Sequence, residues 1–310
     1  MKTCVTSLLL SVCLYSCLVL APPCALGRTA TDGDGAQASL HEKPQAEPRA
    51  SMEVMRIPSH GAQMNALVYV AAGARPHPVV VLLHGFPGNE RNLDLAQDIR
   101  RAGWDVVYFD YRGSWGSPGN FSFSHGIEDT AAVLAYLRQP ANATRLRLDP
   151  ARIVLIGHSM GGFMAVQASA ADPSVKGIVM ISAADMGGML EQMLGQEPKQ
   201  AALHEASAGF AGEGMAPLSG CTPDGLANEL AEHASAWAFQ SKVDAFKRRP
   251  MLVVTSDDGL ASDDEAFATE LRKGGNNQVT SVHLATDHAF SDQRIELSHA
   301  VLQWLAPLAH

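Results

Sequence analysis

Cysteine is scarce where it would matter structurally. The 310 residues contain five, and four of them, Cys4, Cys13, Cys17 and Cys24, lie in the first 24 positions. Cys221 stands alone in the rest, so no disulfide can form there, and a small disulfide-stapled module is excluded. A lone thiol in a long insertion reads as a free side chain rather than a nucleophile. Basic residues are also in deficit, 23 Lys and Arg against 32 Asp and Glu, for a formal charge of −9. That balance argues against nucleic acid or an anionic membrane surface as the main partner. There is no H-E-x-x-H, no paired C-x-x-C and no phosphate-binding loop, so neither a metal nor an organic cofactor is expected. The longest apolar run, Leu8 to Leu20, is shorter than a membrane-spanning helix requires.

That run has a different meaning. Lys2 precedes it, and Pro22, Pro23 and Ala25-Leu26-Gly27 follow. A basic start, a short apolar core and a small-x-small exit read as a cleaved export signal over residues 1–27. Cleavage is expected after Gly27, or in second place after Ala25, leaving a periplasmic or secreted protein. Leu14-Tyr15-Ser16-Cys17 resembles a lipoprotein signal with Cys17 as the anchor, but Tyr15 fits that pattern badly. Residues 28–50 are rich in Ala, Gly, Asp, Glu, Pro and Gln and read as a disordered linker. The remaining residues, 51–310, suffice for one large domain. No internal repeat is visible.

Within 51–310 strand and helix signals alternate. Met52–Ile57 and Gln63–Val70 read as two leading antiparallel strands joined near Gly61. Pro78–Leu83, Asp105–Phe109, Ile153–Ile156, Gly177–Ile181, Met251–Thr255 and Val279–Leu284 are short apolar runs with β-branched residues, suited to strands buried on both faces. Helical stretches lie between them at Leu93–Ala102, Ile127–Arg138, Gly161–Ala170, Asp264–Lys273 and Asp292–Leu308. This alternation predicts a doubly wound, mostly parallel α/β sheet. Residues 185–247 break the rhythm. They hold no clear strand, several methionines (Met186, Met189, Met193, Met215) and helical spacing at Leu226, Leu230, His233 and Trp237. They read as a helical insertion capping the carboxyl ends of the strands, where open α/β sheets bind ligands.

The chemistry concentrates at four loops. Gly157-His158-Ser159-Met160-Gly161-Gly162 follows the strand Ile153–Ile156 and opens a helix, which is the setting a G-x-S-x-G nucleophile turn needs. The glycines leave room for a sharp reversal that projects the Ser159 hydroxyl. A serine needs a base to accept its proton, and where this motif occurs acid and histidine follow in that order. His204 and His233 lie in the insertion, His283 inside the last strand, His299 in the final helix and His310 at the end. His288 lies in Ala285-Thr286-Asp287-His288-Ala289-Phe290, a loop after the last strand, and is the expected base. Asp287 beside it is expected to order that loop. Ser256-Asp257-Asp258-Gly259 follows the preceding strand. Neighbours in extended chain point opposite ways, so one Asp faces the histidine; Asp258 is the choice and Asp257 the alternative. Asp263 and Asp264 are expected to cap the next helix. His84-Gly85-Phe86-Pro87-Gly88 closes the first parallel strand. The backbone N–H groups of Phe86 and Met160 are the expected oxyanion donors, with His84 bracing the loop.

These segments, HGFPG, GHSMGG, VVTSDDG and TDHAF, resemble the α/β-hydrolase family over roughly residues 70–308. Asp110-Tyr111-Arg112-Gly113-Ser114-Trp115-Gly116 also looks like the D-Y-R-G-x-G region of its prolyl-oligopeptidase-like and serine-aminopeptidase-like branch, although Trp115 spaces the glycines differently. The resemblance implies an α/β-hydrolase fold and hydrolysis of an ester, thioester or amide through an acyl-enzyme on Ser159, with no metal or cofactor. Two substrate readings follow. The first is a small or medium carboxylic ester. The alternative is a short peptide, whose amino terminus would need an anchor such as Glu191, Glu197, Glu205 or Glu213. A silent scaffold serving as a binding module would lack a triad member, and none is missing here.

Overall fold

The structure is a computed structural model and describes residues 47–309. The expected export signal, Cys17, residues 28–46 of the expected linker and His310 lie outside the described residues. Residues 47–50 are irregular and lead into the first strand.

Eight strands form one sheet: β1 (Ser51–Ser59), β2 (Ala62–Val70), β3 (His77–Leu83), β4 (Asp105–Phe109), β5 (Leu148–His158), β6 (Gly177–Ile181), β7 (Met251–Thr255) and β8 (Val279–His283). Their order is β1-β2-β4-β3-β5-β6-β7-β8. β1 and β2 form an antiparallel hairpin, and β2 runs antiparallel to β4. His60 and Gly61 both take positive φ at the hairpin turn, the geometry that matches the twist of the flanking strands. Every later pairing is parallel. The sheet is therefore the doubly wound, mostly parallel one expected.

The apolar runs explain the layers. β3, β4, β6 and β7 are buried along their whole length, because helices cover both faces of a parallel sheet. Successive side chains alternate between those faces. Val80, Leu82, Val154 and Ile156 meet α1 (Leu93–Arg101) and α9 (Arg294–Leu305) on one side. Val79, Val81, Ile153 and Leu155 meet α2 (Phe123–Arg138), α3 (Pro140–Leu146), α4 (Met160–Ala171) and α8 (Ala261–Lys273) on the other. Each such fully buried aliphatic side chain contributes about 1.5–3 kcal/mol of transfer free energy.

Several elements differ in extent from the sequence reading: β5 begins at Leu148 rather than Ile153, and α8 at Ala261 rather than Asp264. α2 starts at Phe123 rather than Ile127, because the Ser122 hydroxyl accepts a hydrogen bond from the His125 N–H at 3.1 Å and caps an earlier turn. The short helix α3 was not foreseen. It has Pro140 in its first turn but buries only Ala143 and Leu146, too few for an apolar period.

The insertion comprises α5 (Met186–Gln196), α6 (Lys199–Gly212), α7 (Pro223–Trp237) and a 3-10 segment (Phe239–Phe246) between β6 and β7. Asp185 ties its two roots together: its carboxylate accepts from Gly188 N–H at 2.9 Å and from Phe239 N–H at 3.0 Å. Burial pushes the Asp185 pKa up to about 6 against the pull of these donors. Further out, Glu229 on α7 accepts from the Phe123 and Ser124 N–H groups, both at 2.9 Å, at the positive end of α2. Ser219 N–H donates to Gly113 O at 2.8 Å and Phe121 N–H to Ser219 O at 2.9 Å. The segment from Asp110 to Phe121 is thus the seat of the cap. Arg112 holds that seat against α2 through Asp129, at 2.6 Å.

Candidate active site

Ser159 sits at the turn between β5 and α4 with φ 56° and ψ −125°, a conformation a non-glycine residue adopts only when its surroundings force it. The surroundings do so. Ser159 N–H donates to Ile181 O at 2.9 Å, and Ser159 O accepts from Gly162 and Ala184 at 2.9 and 3.1 Å. A methyl group at Gly157 would overlap the Gly161 carbonyl, and one at Gly161 would overlap that of Leu83. The two flanking glycines are therefore steric requirements of this turn.

The loops after β7 and β8 bring an acid and a base to the same rim. His288 Nδ1 lies 2.6 Å from Asp258 Oδ2. The acceptor is a carboxylate, so Nδ1 carries the proton and Nε2 is bare. Burial of the Asp258 carboxyl alone would raise its pKa. Hydrogen bonds from His288, the Leu260 N–H and the hydroxyls of Ser182 and Ser256 outweigh that, and hold it well below the usual carboxylate range. Asp257, its neighbour, points the other way and meets His283 Nε2 at 3.2 Å. Asp287 orders its loop by accepting from Ser291 N–H at 2.9 Å. Asp264 corrects an expectation. It does not cap α8; it is fully buried and accepts from Ala183 N–H at 2.9 Å, across the sheet edge at the end of β6. Burial raises its pKa well above the usual range.

The loop after β3 supplies the remaining side of the site. His84 is buried and its Nδ1–H donates to Gly85 O at 2.8 Å. Burial lowers its pKa to about 4, so it stays neutral. Trp115 Nε1–H donates to Pro87 O at 2.8 Å, and the Arg91 guanidinium lies 4.1 Å over the Trp115 ring. The additional residue in the Asp110–Gly116 segment thus braces this loop. Met160 opens α4, so its N–H has no partner within the helix.

Ser159, Asp258, His288, Phe86 and Met160 all line one cleft of about 720 Å³. The cap furnishes its far wall: Met186, Met189, Leu190 and Met193 from α5, Phe210 from α6 and Leu230 from α7. Phe86 and Phe210 meet edge to face at 5.4 Å. Glu205 and Glu213 also line the cleft, whereas Glu191 and Glu197 do not. A second hollow of about 290 Å³ lies on the other side of Ser159 and His288, bordered by Gly88, Glu90, His158 and Asp287. Cys221 borders a separate hollow beside Phe121 and Glu229, and burial raises its thiol pKa. Among the described residues no group of three or more His, Cys, Asp or Glu is placed to hold a metal ion. The sequence reading passed over His158 and Phe210. For His158 a signal existed, since it shares the face of Val154 and Ile156 by strand alternation.

The chain matches a family model described as the alpha/beta hydrolase fold over residues 78–303. It is 25% identical over 184 residues to the uncharacterized protein YfhR of Escherichia coli O157:H7, covering 58% of this chain and 61% of that protein. It is 34% identical over 97 residues to epoxide hydrolase 3 of Xenopus tropicalis, covering 31% of this chain and 25% of that one. The chain thus spans less than two thirds of the length of either relative. A solved structure of Est1E from Butyrivibrio proteoclasticus with bound ferulic acid superposes with a TM-score of 0.61 at 18% identity, over 82% of this chain and 98% of that one, a likeness of fold. By the length of the family match and the sheet that carries it, the chain belongs to the α/β hydrolase fold family, and the reading of it as a hydrolase stands with that membership.

Proposed function

We propose that this protein is a serine carboxylic-ester hydrolase that works through an acyl-enzyme, with Ser159 as nucleophile, His288 as general base and acid, and Asp258 as the group that orients His288. The observation that carries the proposal is the 2.6 Å contact between His288 Nδ1 and Asp258, in a cleft that Ser159 also lines. His288 Nε2 accepts the Ser159 hydroxyl proton as Oγ attacks the acyl carbon. The oxyanion formed meets the N–H groups of Phe86 and Met160. The bond to the leaving alkoxide breaks, and His288 returns its proton to that oxygen. Water then attacks the acyl-enzyme, gives a proton to His288, and the acid leaves as Ser159 regains its hydrogen. Asp258 stays ionised throughout and stabilises the imidazolium.

The cleft supports an ester over a peptide. Its walls are thioether, aliphatic and aromatic, so an apolar acyl or alcohol group gains about 25 cal/mol per Å² buried there. Glu205 and Glu213 are the features that favour the alternative, since a peptide amino terminus would pair with them. Fluorophosphonate labelling, followed by comparison of p-nitrophenyl esters with aminoacyl nitroanilides, separates the readings. The expected result is labelling that Ser159→Ala abolishes, with turnover of esters. Efficient anilide cleavage would make the protein a peptidase, and an unlabelled wild type would sink the serine mechanism.

Export belongs to the same proposal. It is supported by Lys2, the apolar run and the small residues at 25 and 27. Amino-terminal sequencing of protein recovered outside the cytoplasm should begin at Arg28. A mature chain retaining Met1 overturns it, and one beginning at a lipid-modified Cys17 replaces it with the lipoprotein reading.

A further inference from the structure

We infer that His158 is a positioning residue for His288: by donating its Nε2–H to the main-chain carbonyl of His288, it fixes the backbone that carries the base. The inference rests on His288 being the base, as proposed above.

His158 is the last residue of β5. Alternation along the strand sends its side chain to the face of Val154 and Ile156, away from the cap. The loop that follows β8 crosses that same face, and Phe290 is buried there. His158 Nε2 lies 2.8 Å from the carbonyl oxygen of His288. A carbonyl only accepts, so the proton is on Nε2 and Nδ1 is bare. Nδ1 is buried without a hydrogen-bond partner. An imidazolium would place a second N–H there with nothing to receive it, leaving a buried charged donor unsatisfied. Burial and the nearby His288 accordingly lower the His158 pKa to about 4. The ring is a neutral donor wherever the enzyme would act near neutrality.

Its position then has a consequence for catalysis. Asp258 holds His288 by the ring, at Nδ1, and leaves the root of that side chain to its own backbone. His158 holds that backbone. Its ring centroid lies 4.6 Å from that of His288, so it also supports the face of the imidazole. His158 is covalently joined to Ser159. One side chain therefore ties the backbone of the base to the residue beside the nucleophile, through a single hydrogen bond. Neutrality matters equally: a cation at 158 would face the imidazolium that His288 becomes in the transition state and oppose it. An error of about 1 Å in such a placement costs about 100-fold in rate.

Two substitutions and one spectrum test this. His158→Leu removes the donor and also the buried unpartnered nitrogen. It should fold, and show kcat per folded molecule lowered about 10- to 100-fold with KM within about 3-fold. His158→Gln restores an N–H at the same reach and should recover kcat to within about 5-fold of wild type. A purely structural role would instead lower stability and leave kcat per folded molecule unchanged. Either that result, or a His158→Leu enzyme with wild-type kcat, overturns the inference. In wild-type protein labelled with 15N-histidine, His158 should show the neutral tautomer protonated at Nε2 between pH 5 and 8. The opposite tautomer overturns the inference whatever the variants do. Failure of the underlying reading looks different, because His288→Ala would then keep its turnover while His158 kept its tautomer.

Discussion

Two aspartate–histidine pairs stand side by side at the ends of β7 and β8, their acids neighbours in one tetrapeptide. Asp257 meets His283 at 3.2 Å, with 64% and 50% of the two side chains exposed. Asp258 meets His288 at 2.6 Å, with the carboxylate only 5% exposed. The residue types are the same, and the acids are adjacent in the chain. The difference lies in what surrounds each carboxylate. Asp257 faces water, where an ion pair gains about 0–1 kcal/mol and is screened by salt. Asp258 lies below the rim among the Ser182 and Ser256 hydroxyls and the Leu260 N–H, which keep it ionised without solvent. A fixed, dehydrated carboxylate orients an imidazole; a solvated one only decorates it.

The comparison breaks most sharply at the histidines. His288→Ala should lower ester turnover by at least about 10⁴-fold in steady-state kinetics, whereas His283→Ala should leave kcat within about 2-fold and stability within about 1 kcal/mol. Comparable losses in both variants would erase the distinction. Next come the acids. Asp258→Asn should cost about 10³- to 10⁴-fold in kcat through the wrong histidine tautomer, and Asp257→Asn should be nearly silent; the reverse order would move the orienting role to Asp257.

Acid unfolding sharpens the same contrast. The Asp258 pKa is lowered on folding, so its ionised form stabilises the protein above the unfolded carboxylate value of 3.8. That stability is lost as pH falls from about 5 through and below 3.8. Asp258→Asn should therefore show a flatter decline than wild type in denaturant melts over that window. A decline in Asp258→Asn as steep as in wild type would contradict this. The smallest effect belongs to Ser256→Ala, which removes one donor to Asp258. A loss of about 1 kcal/mol of hydrogen bonding predicts kcat reduced by about 5-fold, and an unchanged rate would show that Ser182 and Leu260 suffice.

Much of this was legible in the chain because it is local. The solid apolar runs at Pro78–Leu83 and Met251–Thr255 suit strands covered on both faces, and their alternation with helices implies parallel pairing. Gly157 and Gly161 around Ser159 announced a turn too tight for any side chain. The four loops expected to carry the chemistry could be chosen because each follows a strand. Alternation of side chains also said that Asp257 and Asp258 diverge, though not which of them would be buried.

What the order of residues determined by itself, then, was the sheet, the serine turn and the set of loops at its rim, since those follow from hydrophobic period and backbone sterics within a few residues. Only the tertiary structure decided the rest. It turned the Asp264 carboxylate to the Ala183 N–H instead of to the N–H groups of its own helix, and put Arg112 against Asp129, the α5 methionines and Phe210 in the cleft that Ser159 lines, and His158 against the main chain of His288, 130 residues away in sequence. Such contacts depend on how twisted strands and the helices packed on them bring distant segments together. No spacing along the chain encodes that distance.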